Sequence, residues 1–442
     1  MRVAVITLGC SKNRVDSEHL MRQLQGVGWE VDSVDRVEDV DAADFLIINT
    51  CGFIQDAKAE SIDCILEAVA AKEAGFISKI YVFGCLSARY KTELLQEIPQ
   101  VDGYFGAQDM VGVLQALGLV FDPLLACRRK LSTPGHYAYL KLSEGCDRRC
   151  SYCAIPLIRG PHKSRPQEEL LAEAADLAAQ GVRELILVAQ DSSYYGMDLY
   201  GKRTLAPLME ALCRIDGIEW IRVLYTYPQG FPKQVLDLMG REPKICKYVD
   251  IPLQHVADGV LTAMRRNTTG EQTRQLIKEF RDTVPGICIR TTLMVGHPGE
   301  DRAAFKELLD FVAEARFERM GAFRYSEEEG TYGAQHLKDS VAPATKRRRF
   351  DKLMELQQGI SFAYNQSLVG QECRVLIDRV EPVEDAGSDG LCAVGRTQAQ
   401  APEVDGEVII PLATATVVPA PGTFVNVKIT RVNEYDLFAQ LI

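Results

Sequence analysis

The stretch "YAYLKLSEGCDRRCSYCAIP", residues 137–156, joins an apolar run of strand length to a loop with three cysteines and no fourth. The loop follows the carboxyl end of a strand, the end at which β/α barrels carry their chemistry. Cys146, Cys150 and Cys153 are separated by three and then two residues, compact enough to wrap one centre. Zinc in a structural site prefers a full tetrahedral set. Neither neighbouring histidine completes one, since His136 precedes the strand and His162 lies beyond "PLIRGP". Thiolates also hold iron–sulfur clusters, and a cubane held by three of them keeps one iron open for a cosubstrate. Both metals remain in play from spacing alone, and the missing corner weighs toward the cluster.

Downstream the same strand–helix alternation continues. "ELILVAQ", "WIRVLYTYP", "YVDIPLQ", "ICIRTTLMVG" and "MGAFRYS" bring the count to six strand–helix units. Parallel strands with outer helices make a partial barrel, three-quarters of the eight-unit form. A helix from Ala344 to about Tyr364 follows, with "KRRR" (Lys346 to Arg349) expected on its solvated face. Beyond it "ECRVLIDRV", "LCAVGRTQ", "EVIIP", "TFVNVKITRV" and "YDLFAQLI" are short strands without helices. Five such strands suggest a small closed barrel of the oligonucleotide-binding type.

Upstream, "RVAVITLGC", a strand near Val31, "DFLIINTC" and "KIYVFGC" alternate with helices from about Val15 to Gln25, Asp56 to Ala74 and onward from about Arg89. Continuous apolar strands between helices imply a parallel, doubly wound sheet. The chain is therefore α/β and multidomain. Expected divisions are 1–120, a linker at 121–135, the partial barrel with its trailing helix at 136–363, and the small β barrel at 364–442.

Cys10, Cys51 and Cys85 each close an expected N-terminal strand. Ligands of an open parallel sheet bind beyond the carboxyl ends of its strands, so three thiols distant in sequence should converge on one mouth. A free cysteine at a strand end is usually a small buried hydrophobe, but three of them point to a shared metal or cluster site. Cys64, Cys127, Cys213, Cys246, Cys288, Cys373 and Cys392 follow no such pattern and are expected to be structural.

With 442 residues, 47% hydrophobic and 25% charged, the chain has the composition of a soluble globular protein. No apolar run reaches the roughly 18 residues needed to cross a bilayer. "MRVAVITLGC" reads as a strand, not as a lipoprotein leader, so a cytoplasmic location is expected. Thirteen cysteines in a reducing compartment favour metal, catalysis or burial over disulfides. The net charge of −11 disfavours broad attraction to a nucleic acid backbone.

The loop "GCDRRCSYC" matches the Cys-x3-Cys-x2-Cys signature of radical S-adenosylmethionine enzymes, with an aromatic, Tyr152, before the last cysteine. The whole chain resembles the radical S-adenosylmethionine methylthiotransferases, which join a three-cysteine domain, a radical domain and a TRAM barrel. That resemblance implies two 4Fe–4S clusters, one on Cys10, Cys51 and Cys85 and one on Cys146, Cys150 and Cys153. It implies S-adenosylmethionine chelated at the open iron of the second. It implies a 5′-deoxyadenosyl radical formed there and sulfur delivered through the first cluster, with methyl from a second S-adenosylmethionine. Among residues at strand ends, Gln190, Asp191, Arg222, Tyr225 and Gln254, together with Tyr152, are candidates to contact the cofactor. Arg222 is as readily the buried partner of a barrel carboxylate. The turn Gly296, Pro298, Gly299 and Glu300 either lines the cofactor site or ends its strand, and His297 stands where the family usually has a bulky apolar residue.

Within the family, "LGCSKNRVDSE", "SEGCDRRCSYCAIP", "AQDSSYYGMD", "YTYPQGFP", "DIPLQH" and "YSEEEGT" resemble the branch acting on an aspartate of a small-subunit ribosomal protein. Residues 364–442 carry eleven acidic and five basic residues, a balance of −6, whereas an RNA-binding barrel should be basic. Glu327, Glu328 and Glu329 would add an acidic mouth suited to a basic protein. The competing readings are a tRNA adenosine methylthiotransferase and a non-catalytic metal-binding RNA-binding protein. The expected partners are the ribosomal protein, free or within its subunit, and an electron donor protein, with no membrane and no tRNA. The expected state is a monomer.

Overall fold

A computed structural model of the chain describes residues 1–382, 390–412 and 418–442. The N-terminal sheet has five parallel strands: β1 Arg2–Thr7, β2 Glu30–Val34, β3 Ala43–Thr50, β4 Ile77–Gly84 and β5 Gly103–Tyr104, in the order β2-β1-β3-β4-β5. Its first two helices, Ser11–Gly26 and Gln55–Glu73, lie close to the expected spans. The third differs. It runs Cys85–Glu97, so Cys85 opens a helix instead of closing a strand. Gly84 makes this turn at φ +110, where an added Cβ would lie 2.5 Å from the Thr50 carbonyl oxygen. Tyr90 breaks the helix at φ −125, ψ 30, which explains why helical periodicity begins late in the sequence. β5, only two residues long, gave no periodic signal.

The expected linker is a strap bound on both sides. Gln23 and Asp122 exchange hydrogen bonds of 2.9 and 2.8 Å, and Ser132 donates to Glu18 at 2.9 Å. Buried Arg129 sits between Glu18 (3.4 Å) and Glu173 (3.2 Å).

The middle block opens with β6 Tyr137–Lys141, then a two-stranded ladder, β7 Ser143–Glu144 and β8 Lys163–Ser164, that pinches off the cysteine loop. β9 Glu184–Val188, β10 Trp220–Val223, β11 Ile245–Asp250, β12 Cys288–Val295 and β13 Arg319–Arg324 follow. With β6 they form six parallel strands in sequential order, open between β6 and β13. Leu140, Leu187, Val223, Val249 and Leu293 point outward into the core under the helices. The helix expected from Ala344 runs Pro343–Ser367, across the expected domain division.

The C-terminal strands β14 Glu372–Pro382, β15 Leu391–Arg396, β16 Val408–Pro411, β17 Phe424–Val432 and β18 Leu437–Leu441 close into a barrel. This barrel stops one end of the partial barrel's interior. Tyr137, Trp220, Tyr248 and Cys288 pack there against Leu376, Ala401 and Phe424. Glu184 accepts from Arg222 Nε at 2.8 Å and from Arg396 Nη1 at 2.6 Å. Arg396 also grips Asp378 at 2.7 and 2.9 Å. Arg222 Nη1 further donates to the Gln398 carbonyl at 2.7 Å. Removing one partner of a buried pair strands the other charge, at about 3–5 kcal/mol. Glu184→Ala leaves two guanidinium groups facing each other, and a loss of that size is expected in a denaturant titration.

Candidate functional site

The second cysteine loop is held by backbone. Gly145 enters it at φ +66, where an added Cβ would lie 2.0 Å from the Pro161 carbonyl oxygen, so a side chain is barred. Cys146 N–H donates to Gly160 (3.1 Å), Ser151 N–H to Met264 (3.0 Å) and Gly333 N–H to Ser151 (2.6 Å). The Cys146 sulfur accepts from the Arg148 N–H at 3.4 Å. The Cys150 sulfur lies 3.7 Å from both the Tyr227 hydroxyl and Arg266 Nη1. Burial pushes the Cys146 and Cys153 thiols up to about 12, so they ionise at neutral pH only when a metal takes the proton's place. His162 bonds Ser164 at 3.0 Å and stacks edge-on with Tyr194, and His136 bonds Asp378 at 2.7 Å. Both are engaged elsewhere. Among the described residues no three His, Cys, Asp or Glu side chains enclose a single metal ion. Three soft donors on a rigid loop fit separate irons of one cluster.

The first set also converges. An added Cβ on Gly9 (φ +89) would lie 2.6 Å from Cys51 Cβ and 3.0 Å from its sulfur, so the loops carrying Cys10 and Cys51 touch. Cys51 is pinned by Ser61, which exchanges bonds with its N–H and carbonyl at 3.0 Å each. The Cys85 sulfur is 3.8 Å from Asn13 Oδ1 and accepts from Arg159 Nε at 3.3 Å. Burial pushes Cys51 up to about 11 and raises Cys85. At Cys10 burial also opposes ionisation, but Lys12 and Arg159 outweigh it and hold this thiol below its ordinary value. The charge around Cys10 favours a thiolate ligand.

A cavity of about 1000 Å³ opens between residues that neighbour the two sets. Phe53 and Ile54, just after Cys51, line one wall, and Tyr152, Gln254, Met294 and Tyr325 line the other. Gln254 holds φ +72 there, its N–H bonded to Thr292 and its carbonyl to Met294 at 2.8 and 2.7 Å. Tyr225 holds φ +59 at the end of β10. Left-handed backbone at non-glycine residues costs on the order of 1–3 kcal/mol and collects at functional sites. Asp191 accepts from Arg148 Nε at 2.8 Å and so fixes the cysteine loop. Gln190 Oε1 is buried without a partner. Arg222 lies with Glu184 against the C-terminal barrel, which corrects its place among the cofactor candidates.

The family model of the radical SAM superfamily matches residues 140–312, that of uncharacterized protein family UPF0004 residues 2–106, and that of the TRAM domain residues 369–442. The chain is 52% identical over 439 residues to the ribosomal protein uS12 methylthiotransferase RimO of Flavobacterium johnsoniae, covering 99% of this chain and 98% of that one. The chain belongs to the RimO family. The protein of the same name from Bacteroides thetaiotaomicron is 49% identical over 441 residues, covering 100% and 98%. Among solved structures, the radical S-adenosylmethionine methyltransferase TsrM from Kitasatospora setae has a TM-score of 0.56 at 14% identity, covering 73% of this chain and 74% of its own. The cobalamin-dependent S-adenosylmethionine radical enzyme OxsB gives a TM-score of 0.50 at 15% identity, covering 81% and 56%. At such identities the likeness establishes the fold alone.

Several features of this RimO-family site were not anticipated from the sequence. Arg266, buried beside Cys150, donates to the Tyr152 hydroxyl at 3.3 Å and stacks on Tyr227 at 4.2 Å. Lys346 is not on a solvated face. It is buried at the cavity wall, with Nζ on the Tyr325 carbonyl (3.0 Å) and Asp339 (2.5 Å). Arg349 reaches Glu300, whose carboxylate accepts from Gly296 N–H and closes the turn after β12. His297 is buried beside the loop, bonded to Ser151 at 3.2 Å and edge-on to Tyr152, and burial pushes its ring down to about 4. It is therefore a neutral ring packed beside the loop. The acidic mouth also needs correction. Glu328 is 5% exposed and bonded to Lys58 (2.7 Å) and Arg89 (3.0 Å) of the N-terminal domain, whereas Glu327 and Glu329 are exposed.

Proposed function

We propose that this chain inserts sulfur and a methyl group at the β carbon of an aspartate in ribosomal protein uS12, with one 4Fe–4S cluster on each cysteine set. The observation that carries this reading is a cavity lined both by Phe53 and Ile54, just after Cys51, and by Tyr152, between Cys150 and Cys153. Bound at the second loop, a cluster with S-adenosylmethionine supplies a carbon radical able to take hydrogen from an unactivated C–H bond. The chain's own part is positional. Arg148 and Asp191 fix the loop, while Tyr152, Gln190 and Gln254 offer the cofactor a ring face and amide groups. Phe53, Met294 and the ring of Tyr325 give the place where the aspartate enters an apolar stretch of wall. No helix is long and apolar enough to cross a membrane among the described residues. A cytoplasmic monomer that takes electrons from a separate donor protein is the organisation proposed with this function. Its units are residues 1–120 with the first cluster, 136–363 with the second, and 364–442, joined by the strap 121–135.

The test offers the anaerobically reconstituted enzyme small ribosomal subunits and bulk tRNA, with S-adenosylmethionine and a reductant. One methylthio group on a uS12 aspartate, read by mass spectrometry, is the expected result, and a gain on tRNA adenosine would overturn it. Cys51→Ala in the same assay should leave cleavage of S-adenosylmethionine largely intact while methylthio product falls to background. Unchanged product would remove the first set from the reaction.

A further inference from the structure

A short helix, Ile155–Arg159, leaves the second cysteine loop two residues after Cys153, and Arg159 is its last residue. Arg159 is 3% exposed and its guanidinium crosses into the N-terminal domain. Nε lies 3.3 Å from the Cys85 sulfur and Nη2 lies 2.5 Å from Asn13 Oδ1. Nη1 lies 2.9 Å from Glu144 and 3.3 Å from Asp16. Lys141 donates to the same two carboxylates. Two cations and two carboxylates thus form a buried, neutral tetrad, while the Nε–H is directed at sulfur.

We propose that Arg159 is a positioning residue that couples the two cysteine sites: it ties the second loop to the first site and raises the reduction potential of a cluster bound by Cys10, Cys51 and Cys85. The inference rests on the reading of the first set as a cluster site. Two physical effects carry it. The potential of an iron–sulfur cluster follows its net charge and the hydrogen bonds to its sulfurs, and Arg159 supplies the side-chain N–H on Cys85. Arg159 also balances Asp16 and Glu144. Neutralising it would leave two carboxylates against Lys141 alone, an uncompensated negative charge in a medium that screens poorly. Lys12 adds positive charge near Cys10, but its ammonium sits over the Tyr225 ring, 3.0 Å from the centroid. It pairs with neither Asp16 nor Glu144, so it does not take over Arg159's place in the tetrad. Each effect makes electron addition harder when the guanidinium is lost, so the signs agree.

The test uses the full chain carrying Cys146→Ala, Cys150→Ala and Cys153→Ala, in which only the first site binds iron. Iron and labile sulfide are counted first, and absence of iron would overturn the cluster reading and the proposal with it. With iron bound, a redox titration followed by electron paramagnetic resonance compares Arg159, Arg159→Lys and Arg159→Gln. The expected result is a shift to more negative potential in the glutamine variant, with lysine between. An unchanged potential at full iron content would overturn the proposal while leaving the cluster reading standing. If the glutamine variant fails to retain iron, the lysine variant decides, because it keeps the charge and loses the fork. A potential equal to that of the parent would then overturn the proposal.

Discussion

Alanine at Cys150 should abolish formation of 5′-deoxyadenosine and lower bound iron by half. The loop has three thiols and nothing nearby to take over. Arg266, 3.7 Å from the sulfur, offers only donors, and the Tyr227 hydroxyl at the same distance is already committed to the Arg266 carbonyl at 3.0 Å. Tyr152→Phe is the control, since it keeps the ring that lines the cavity and loses only the hydroxyl on Arg266. Losing a hydrogen bond from a guanidinium costs at most about 1.5–3 kcal/mol, so its cleavage should slow but persist. Cleavage is read by chromatography of the nucleoside and iron by colorimetric assay. Full nucleoside production in Cys150→Ala would remove this loop from the chemistry.

The strands were legible because their signals are local. Apolar runs ending in glycine or cysteine mark both the buried sheet and the loops at its mouth, so both cysteine sets could be placed before any contact was known. What escaped was charge pairing across domains. Lys58 and Glu328 are separated by 270 positions, and Arg159 and Asp16 by 143. No periodicity links such residues. "KRRR" looked like a solvated face because four cations in a row exceed one helical side, yet Lys346 turns inward to Asp339. The acidic C-terminal balance overstated free charge for the same reason. Asp378 faces Arg396, Arg379 faces Glu381 and Glu407, Asp405 faces Arg290, and Glu403 faces Arg14. A count of acids weighs for docking only after such pairs are removed. Part of the acidic count, Glu384, Asp385 and Asp389, lies outside the described residues.

Charge reversal at Glu328 should destabilise the protein, not merely weaken its grip on a basic substrate. The carboxylate lies between Lys58 and Arg89, at 2.7 and 3.0 Å. Arg89 also donates to the carbonyls of Gly52 (3.3 Å) and Glu329 (2.6 Å), so the loop at Cys51 and the loop after β13 share one clamp. Breaking a buried pair costs about 3–5 kcal/mol, and Glu328→Lys adds a third cation to two that have lost their partner. The exposed neighbour makes the comparison clean, because Glu329→Lys should shift stability by no more than about 0.5 kcal/mol. Denaturant titration of the two variants separates a clamp from a docking surface. If the clamp reading holds, Glu328→Lys unfolds at markedly lower denaturant, and methylthio insertion falls further than S-adenosylmethionine cleavage. On the proposed division of labour, cleavage uses the second loop and the barrel, whereas insertion also uses the N-terminal domain, so the two readouts should part. Equal stability of the two variants, with weaker binding to uS12 in both, would return Glu328 to the substrate surface.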